Sequence, residues 1–358
     1  MSQLPEKMKA LVAYAPGDYR LEQIPTPRAE ADDVIVRVEG CGVCAGDVKA
    51  FAGAPSFWGG DGSPAYIKAP MVPGHEFVGT VVEAGPDQKE FKVGDRMVSE
   101  QIVPCGKCKF CQTGRYWMCQ KHDLYGFQNN VNGGMAEYMR FPHEGRKYKI
   151  PKEMPLEQAL LIEPFSCSKH CVDRAGISNE DFVVLSGAGT LGLGMVGAIR
   201  KRSPAFFVVL DLNEHRLKKA KEFGADLVLN PGKENVVEKI TEMTGGYGCD
   251  IYIEATGHPA SVKQGLEMIR KMGTFVEFSV FKDLVSVDWS IISDRKELNL
   301  LGSHLSPYCY PSVIKWIQDG SLPTAGVVSH KFPLDEWEKA FQTAATGEGN
   351  ALKVAIIP

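Results

Sequence analysis

The 358-residue sequence has no long apolar run, no marked charge excess and no internal repeats or low-complexity segments. The stretch closest to a membrane span is Phe182–Ile199, 18 residues without a charge, but five of these are glycine. A glycine-rich turn inside an α/β unit explains it better than a helix in lipid. Lys7 and Lys9 precede only six apolar residues, Ala10–Ala15, too short for the core of a secretion signal. With 40 basic and 44 acidic residues the formal charge is −4, and no basic stripe is concentrated anywhere. That argues against nucleic acid or an anionic membrane as the partner, and for a soluble, cytoplasmic protein.

Cysteine, by contrast, is plentiful: there are ten, and four fall between Cys105 and Cys119. In a reducing compartment clustered cysteines more often bind metal than form disulfides. The length suits two or three domains. Up to about residue 150 short β-type runs are punctuated by glycine and proline: Val34–Val38, Gly79–Ala84, Arg96–Glu100 and Met135–Arg140. After Pro164 apolar strands alternate with helices of about ten residues, which predicts an α/β fold with a doubly wound parallel sheet. The expected strands are Phe182–Leu185, Phe206–Leu210, Asp226–Leu229, Asp250–Glu254, Thr274–Phe278 and Leu298–Leu301. The expected helices between them include Leu191–Lys201, His215–Phe223, Val236–Thr244 and Ala260–Met272. Two more helices, Tyr310–Asp319 and Leu334–Thr346, and a strand, Leu352–Ile357, end the pattern.

Three constellations carry chemistry. Cys105, Cys108, Cys111 and Cys119 have the tight spacing that aims several thiolates at one point, as a tetrahedral zinc requires. Iron–sulfur clusters use similar spacing, but nothing else here implies electron transfer. Four thiolates leave no open position, so the expected role is structural. A second, dispersed set comprises Cys44, Asp47, His75, Glu76 and Glu163. A thiolate, an imidazole and a carboxylate would leave catalytic zinc one open position. The third is Gly187-Ala188-Gly189-Thr190-Leu191-Gly192, after an expected strand and opening an expected helix. Such a turn lets the backbone and helix N-terminus hold a pyrophosphate. Asp211 ends the next strand, where its carboxylate accepts from ribose hydroxyls and repels a 2′-phosphate, so NAD is expected over NADP.

These motifs, with GHE at 74–76, GVCAGD at 42–47 and LIEP at 161–164, together resemble the zinc-dependent medium-chain alcohol dehydrogenases over essentially the whole chain. The resemblance implies a GroES-like catalytic domain over 1–163, with a structural zinc lobe near 100–122. A Rossmann NAD-binding domain would follow over 164–306, and 307–358 would return to the catalytic domain, with substrate in the cleft between the two. Glu163-Pro164 is similar to the sorbitol and related polyol dehydrogenases, and CAGDVK with the loop Ala54–Pro70 to those acting on erythritol and threitol. Carried over, Cys44 and His75 are ligands of catalytic zinc. Glu76 or Glu163 completes the set, and Asp47 either hydrogen-bonds His75 or caps a turn. Cys41, Cys167, Cys171, Cys249 and Cys309 are read as packing residues. Arg216 and Ser303 join the glycine turn and Asp211 in holding NAD.

One departure concerns the proton. The family usually has Ser or Thr two residues after the ligand cysteine and often His three further on; here stand Gly46 and Lys49. Either water fills the gap or Lys49, with its pKa lowered by burial, takes part. The expected activity is NAD-dependent oxidation of a secondary hydroxyl of a small polyol to a ketose, in a homodimer or homotetramer. The alternatives are the same chemistry on threonine, a sugar or a simple alcohol, a zinc-free reductase on the same two domains, and a non-catalytic module that senses NAD.

Overall fold

The computed structural model describes residues 4–60, 62 and 64–358; Asp61 and Ser63, inside the loop Ala54–Pro70, lie outside the described residues. The chain divides into two compact units.

The first unit comprises Met1–Glu163, Tyr310–Gln318 and Thr324–Pro358. Its main sheet runs Val328–Pro333, Lys353–Ile357, Val34–Val43, Glu76–Ala84, Arg96–Ser99 and Lys147–Lys149, with Tyr138–Phe141 also paired to Val34–Val43. Val34–Val43 is almost wholly buried along its length, which suits a central strand rich in valine. It aligns Gly42 with Glu76 on one neighbour and Val43 with Val354 on the other, and so brings residues distant in sequence to one end of the sheet. Three strands differ from expectation. Lys7–Ala15 and Asp18–Pro25 form an antiparallel ribbon, so the six apolar residues after Lys9 belong to a strand. The segment near 135–140 pairs only from Tyr138 to Phe141, because Met135 and Ala136 are fixed instead by contacts to Leu11 and Ala10.

Cys44 caps the short helix Ala45–Phe51. That helix is fastened by Phe51, whose ring lies 5.0 Å from Tyr19, 5.6 Å from Trp337 and 5.8 Å from Phe341. Edge-to-face contacts of this kind favour one orientation over others. Trp337 and Phe341 sit on Trp337–Thr346; the expected helix from Leu334 begins as one 3-10 turn, Leu334–Glu336.

The second unit comprises Pro164–Cys309 and Asp319–Pro323. Its six strands are all parallel, in spatial order Leu227–Leu229, Phe206–Leu210, Phe182–Ser186, Cys249–Glu254, Ile269–Glu277 and Asn299–Gly302. This is the 3-2-1-4-5-6 order of a doubly wound dinucleotide fold. Val184, Val208, Leu210, Tyr252 and Phe275 lie in one buried layer beneath the helices. The uncharged stretch Phe182–Ile199 divides into a strand, a turn and the helix Thr190–Arg200. Among the described residues no helix is long and apolar enough to cross a membrane.

Two boundaries differ from the sequence reading. The helix expected to reach Met272 ends at Met268, and Ile269 already starts a strand. Lys296 explains the stop, since its ammonium donates to the carbonyls of Leu266, Glu267 and Ile269 at 2.7, 2.8 and 2.6 Å. A cation at a helix C-terminus satisfies carbonyls that the helix no longer uses. The return to the first unit starts at Tyr310, not residue 307, and Asp319–Pro323 belongs to the second unit. Leu322 is the reason: it packs against Gly197 so closely that a Cβ there would lie 2.4 Å from its methyl group.

Candidate active site

Cys44, His75 and Glu76 offer donor atoms that all lie within 4.8 Å of one another. Each has a separate structural origin. Cys44 is the N-cap residue of Ala45–Phe51, His75 ends the segment before the central sheet, and Glu76 begins the strand Glu76–Ala84. His75 and Glu76 are 5% and 2% exposed. The Gly46 N–H donates to Cys44 Sγ at 3.4 Å.

His75 Nδ1 is buried with no hydrogen-bond partner among the described residues. The expected Asp47–His75 hydrogen bond is absent: Asp47 Oδ1 lies 3.9 Å from Nδ1, too far for one. Asp47 Oδ2 instead accepts from the Cys44 N–H at 2.9 Å, closing a capping box. The two readings of Asp47 thus combine in a cap that also lends its charge to the imidazole. Burial opposes charge on His75, but Cys44 and Asp47 outweigh it and push its pKa up to about 10. A buried pocket of anionic donors that draws positive charge onto its own histidine is chemically suited to a divalent cation. Cys44, His75 and Glu76 fit catalytic zinc.

Glu163 is outside that trio, but its charge reaches His75. It is 7% exposed and accepts from Gln101 Nε2 at 2.5 Å. It opens the helix Ile162–Ala175, in whose first turn Pro164 is tolerated because no N–H is needed there. Glu76 is engaged by Lys353, which is 4% exposed and donates to Oε1 at 2.7 Å and to the Val43 carbonyl at 3.1 Å. Neither Gln101 nor Lys353 emerged from the sequence. Gln101 belongs to no motif, and Lys353 lies 277 positions from its partner.

Gly46 occupies the place of the usual hydroxyl. A Cβ there would meet Cys44 Sγ and the Phe57 ring at 3.7 Å and Phe127 at 4.0 Å, all ordinary contacts. Phe57 and Phe127 stack at 5.5 Å and 7°, and the Phe127 centroid is 5.4 Å from that of His75. An aromatic wall therefore borders the trio at His75. Lys49 is half-buried, and burial lowers its pKa while Cys44 pulls it back up.

Cys105, Cys108, Cys111 and Cys119 have donor atoms within 4.8 Å of one another. The Cys105 N–H donates to Cys119 Sγ at 3.2 Å and the Gln120 N–H to Cys108 Sγ at 3.4 Å. Backbone donors at Gln120 and Cys111 pull Cys108 down to about 6, and burial pushes Cys111 up to about 12. Several thiolates crowded at one point need a metal to share the charge, and four sulfurs fit structural zinc. The remaining cysteines, Cys41, Cys167, Cys171, Cys249 and Cys309, are buried, and none of the ten is in a disulfide.

In the second unit, Gly187 has φ +108°, and a Cβ there would lie 2.7 Å from the Ala255 carbonyl. A Cβ on Gly192 would lie 2.0 Å from the Gly187 carbonyl, so this glycine closes the turn on itself. Gly189 faces open space: a Cβ there would meet only Arg216 Nη1, at 4.0 Å. Thr190 and Leu191 open the helix behind it. Asp211 binds the same turn: Oδ2 accepts from Ala188 N–H and Oδ1 from Asn213 N–H, both at 2.8 Å. Ser303 Oγ is buried with no hydrogen-bond partner among the described residues.

Residues 30–152 match the alcohol dehydrogenase GroES-like domain and residues 192–319 the zinc-binding dehydrogenase domain. The chain is 47% identical over 360 residues to the erythritol/L-threitol dehydrogenase of Mycolicibacterium smegmatis, covering 100% of this chain and 99% of that one. The chain belongs to the zinc-binding alcohol dehydrogenase family. Its fold is accordingly a GroES-like domain with a Rossmann domain, and its relatives place it in the polyol branch. Among solved structures, the 2R,3R-butanediol dehydrogenase of Bacillus subtilis is 28% identical with a TM-score of 0.86, covering 98% of this chain and 99% of that one. An alcohol dehydrogenase of Escherichia coli complexed with NADH is 26% identical with a TM-score of 0.88, covering 99% of this chain and 100% of that one.

Proposed function

We propose that this dehydrogenase oxidises a secondary hydroxyl of a four-carbon polyol of the erythritol or threitol type to a ketose, passing hydride to NAD. The observation that carries the reading is the trio Cys44, His75 and Glu76 in a chain 47% identical end to end to an erythritol/L-threitol dehydrogenase. Zinc bound there supplies Lewis acidity to the substrate hydroxyl.

The protein's own residues do the rest. Cys44, His75 and Glu76 hold the metal, and Asp47 keeps His75 Nδ1 facing a negative charge. Glu163, braced by Gln101, presents a carboxylate for a substrate hydroxyl or an ordered water. The Phe57 and Phe127 rings keep bulk water from the ligands and offer a face to the C–H bonds of a polyol. With Gly46 contributing no hydroxyl, Lys49 is the group that relays the proton outward. Gly187, Gly189, Thr190, Leu191, Gly192, Asp211, Arg216 and Ser303 hold NAD, with Asp211 disfavouring a 2′-phosphate. Cys105, Cys108, Cys111 and Cys119 hold a second, structural zinc. The domains divide as a catalytic unit from both chain ends around a cofactor unit near 164–309.

Cysteines clustered for metal rather than paired support a cytoplasmic location. The outer strand Asn299–Gly302, with Leu300 44% exposed, is an uncovered sheet edge and supports a homodimer or homotetramer joined there. Initial rates of NADH formation across four-, five- and six-carbon polyols of defined configuration, threonine and ethanol test the reading. Highest kcat/KM on a tetritol is expected; a preference for threonine or ethanol rejects it.

A further inference from the structure

The parallel sheet of the second unit has two halves. The glycine turn and Asp211 belong to the half built on Phe182–Ser186 and Phe206–Leu210, which serves the adenosine end and the pyrophosphate. By the twofold logic of this fold, the nicotinamide falls to the carboxyl ends of Cys249–Glu254, Ile269–Glu277 and Asn299–Gly302.

Those ends are acidic. Glu254 and Glu277 are direct register partners on adjacent parallel strands, so their side chains leave the same face. Glu254 is wholly buried; its carboxylate accepts from the Thr256 N–H at 2.9 Å, the Thr256 hydroxyl at 2.5 Å and the Gly257 N–H at 3.2 Å. Glu277 accepts from the Ser279 N–H at 2.5 Å. Among the described residues neither carboxylate has a basic partner. Cys171, and Arg174 one turn beyond it, approach from the helix Ile162–Ala175, and Arg174 Nε donates to the Gly302 carbonyl at 3.0 Å rather than to either glutamate. Beside Gly302, the Ser303 Oγ is buried without a hydrogen-bond partner among the described residues. Burial, then the charge of Glu254, pushes Glu277 up to about 8.

The oxidised nicotinamide ring carries a positive charge and the reduced ring none. We infer that Glu254 and Glu277 make this half of the sheet selective for the oxidised cofactor, their uncompensated charge attracting the cationic ring of NAD⁺ and leaving neutral NADH unaided. The inference rests on the reading that this unit binds NAD. Arrival of the cation favours loss of the Glu277 proton, so NAD⁺ binds more tightly as the pH rises through the titration of Glu277. Glu254, Cys171 and Arg174 are the charged or titratable groups facing it.

Equilibrium titration of zinc-loaded wild type, Glu277→Gln and Glu277→Asp with NAD⁺ and with NADH, at pH 7 and pH 9, tests this. The expected result for Glu277→Gln at pH 9 is an NAD⁺ Kd raised about tenfold, with the NADH Kd within about twofold of wild type. Wild type should bind NAD⁺ more tightly at pH 9 than at pH 7, Glu277→Gln should lose that dependence, and Glu277→Asp should keep it. Equal changes in both dissociation constants, or none, overturn the inference while leaving the cofactor reading intact. Wild type that binds neither dinucleotide overturns both.

Discussion

Lys353 and Glu76 form an ion pair with Nζ 2.6 Å from Oε2, and their side chains are only 6% and 2% exposed. The carboxylate crowds the place where a Cβ on Gly42 would be, which lies 2.2 Å from Oε2. Glu76 is thus confined between a backbone that leaves room only beside glycine and a buried ammonium. Burial works against charge on Lys353, and Glu76 more than restores it.

Removing one partner of such a pair leaves a buried charge alone. Lys353→Met should cost about 3 to 5 kcal/mol in urea denaturation of the metal-free protein, and Lys353→Arg distinctly less. Equal stability of all three proteins would show that the pair is not integral to the sheet.

The two clusters of metal-ligating groups should lose their metal independently. Metal analysis should give about two zinc per chain in wild type, and about one after Cys108→Ser. That variant should also melt at a lower temperature. A loss of activity with both zincs and the melting temperature unchanged would contradict a structural role for the cysteine lobe.

For the cofactor, Asp211→Ala should lower kcat/KM with NAD about tenfold and raise it with NADP, since the negative charge at the end of the second strand is lost. Because Asp211 also binds the Ala188 N–H, part of the loss with NAD will come from the turn itself. An unaltered NAD-to-NADP ratio would mean that Asp211 only shapes the turn.

The proton path is tested by a pair of variants. Lys49→Met should flatten the pH dependence of kcat/KM and slow the reaction; an unchanged profile and rate would exclude Lys49. Gly46→Ser restores a hydroxyl next to Cys44 Sγ at a position with no steric conflict, and should recover part of the rate in the Lys49→Met background.

Acid stability should depend on His170, whose folded-state pKa is depressed to about 4, mainly by burial and against the pull of Asp173. The unfolded chain then binds the proton first, so stability falls as pH drops from about 6.5 toward 4. His170→Gln should reduce that fall, read as the urea midpoint at pH 7 minus that at pH 4.5.

The parallel sheet was legible because its strands are apolar runs separated by helices, and Phe206–Leu210 lies where the pattern predicts it. The cysteine lobe was legible from spacing alone. The boundary at Met268 was not, because the residue that stops the helix is Lys296, set by tertiary contact and invisible to periodicity. In the site, Cys44, His75 and a glutamate could be picked out, but spacing could not choose between Glu76 and Glu163; the donor atoms of Cys44, His75 and Glu76 are the ones that lie together. The partners of the two carboxylates, Gln101 for Glu163 and Lys353 for Glu76, come from tertiary contact and carry no sequence signal. The role of Asp47 was equally hidden, since both readings use the same residue and differ by about an ångström.

The 277 positions between Glu76 and Lys353 also set an order of events during synthesis. At about 5 to 20 residues per second, the ribosome needs roughly 15 to 55 s to travel from one to the other. Throughout that interval Glu76 has been made and its cation has not, while the nucleotide unit is emerging and free to fold. The trio Cys44, His75 and Glu76 is therefore completed late, around a carboxylate that stays uncountered until the strand Lys353–Ile357 arrives and adds itself to the sheet.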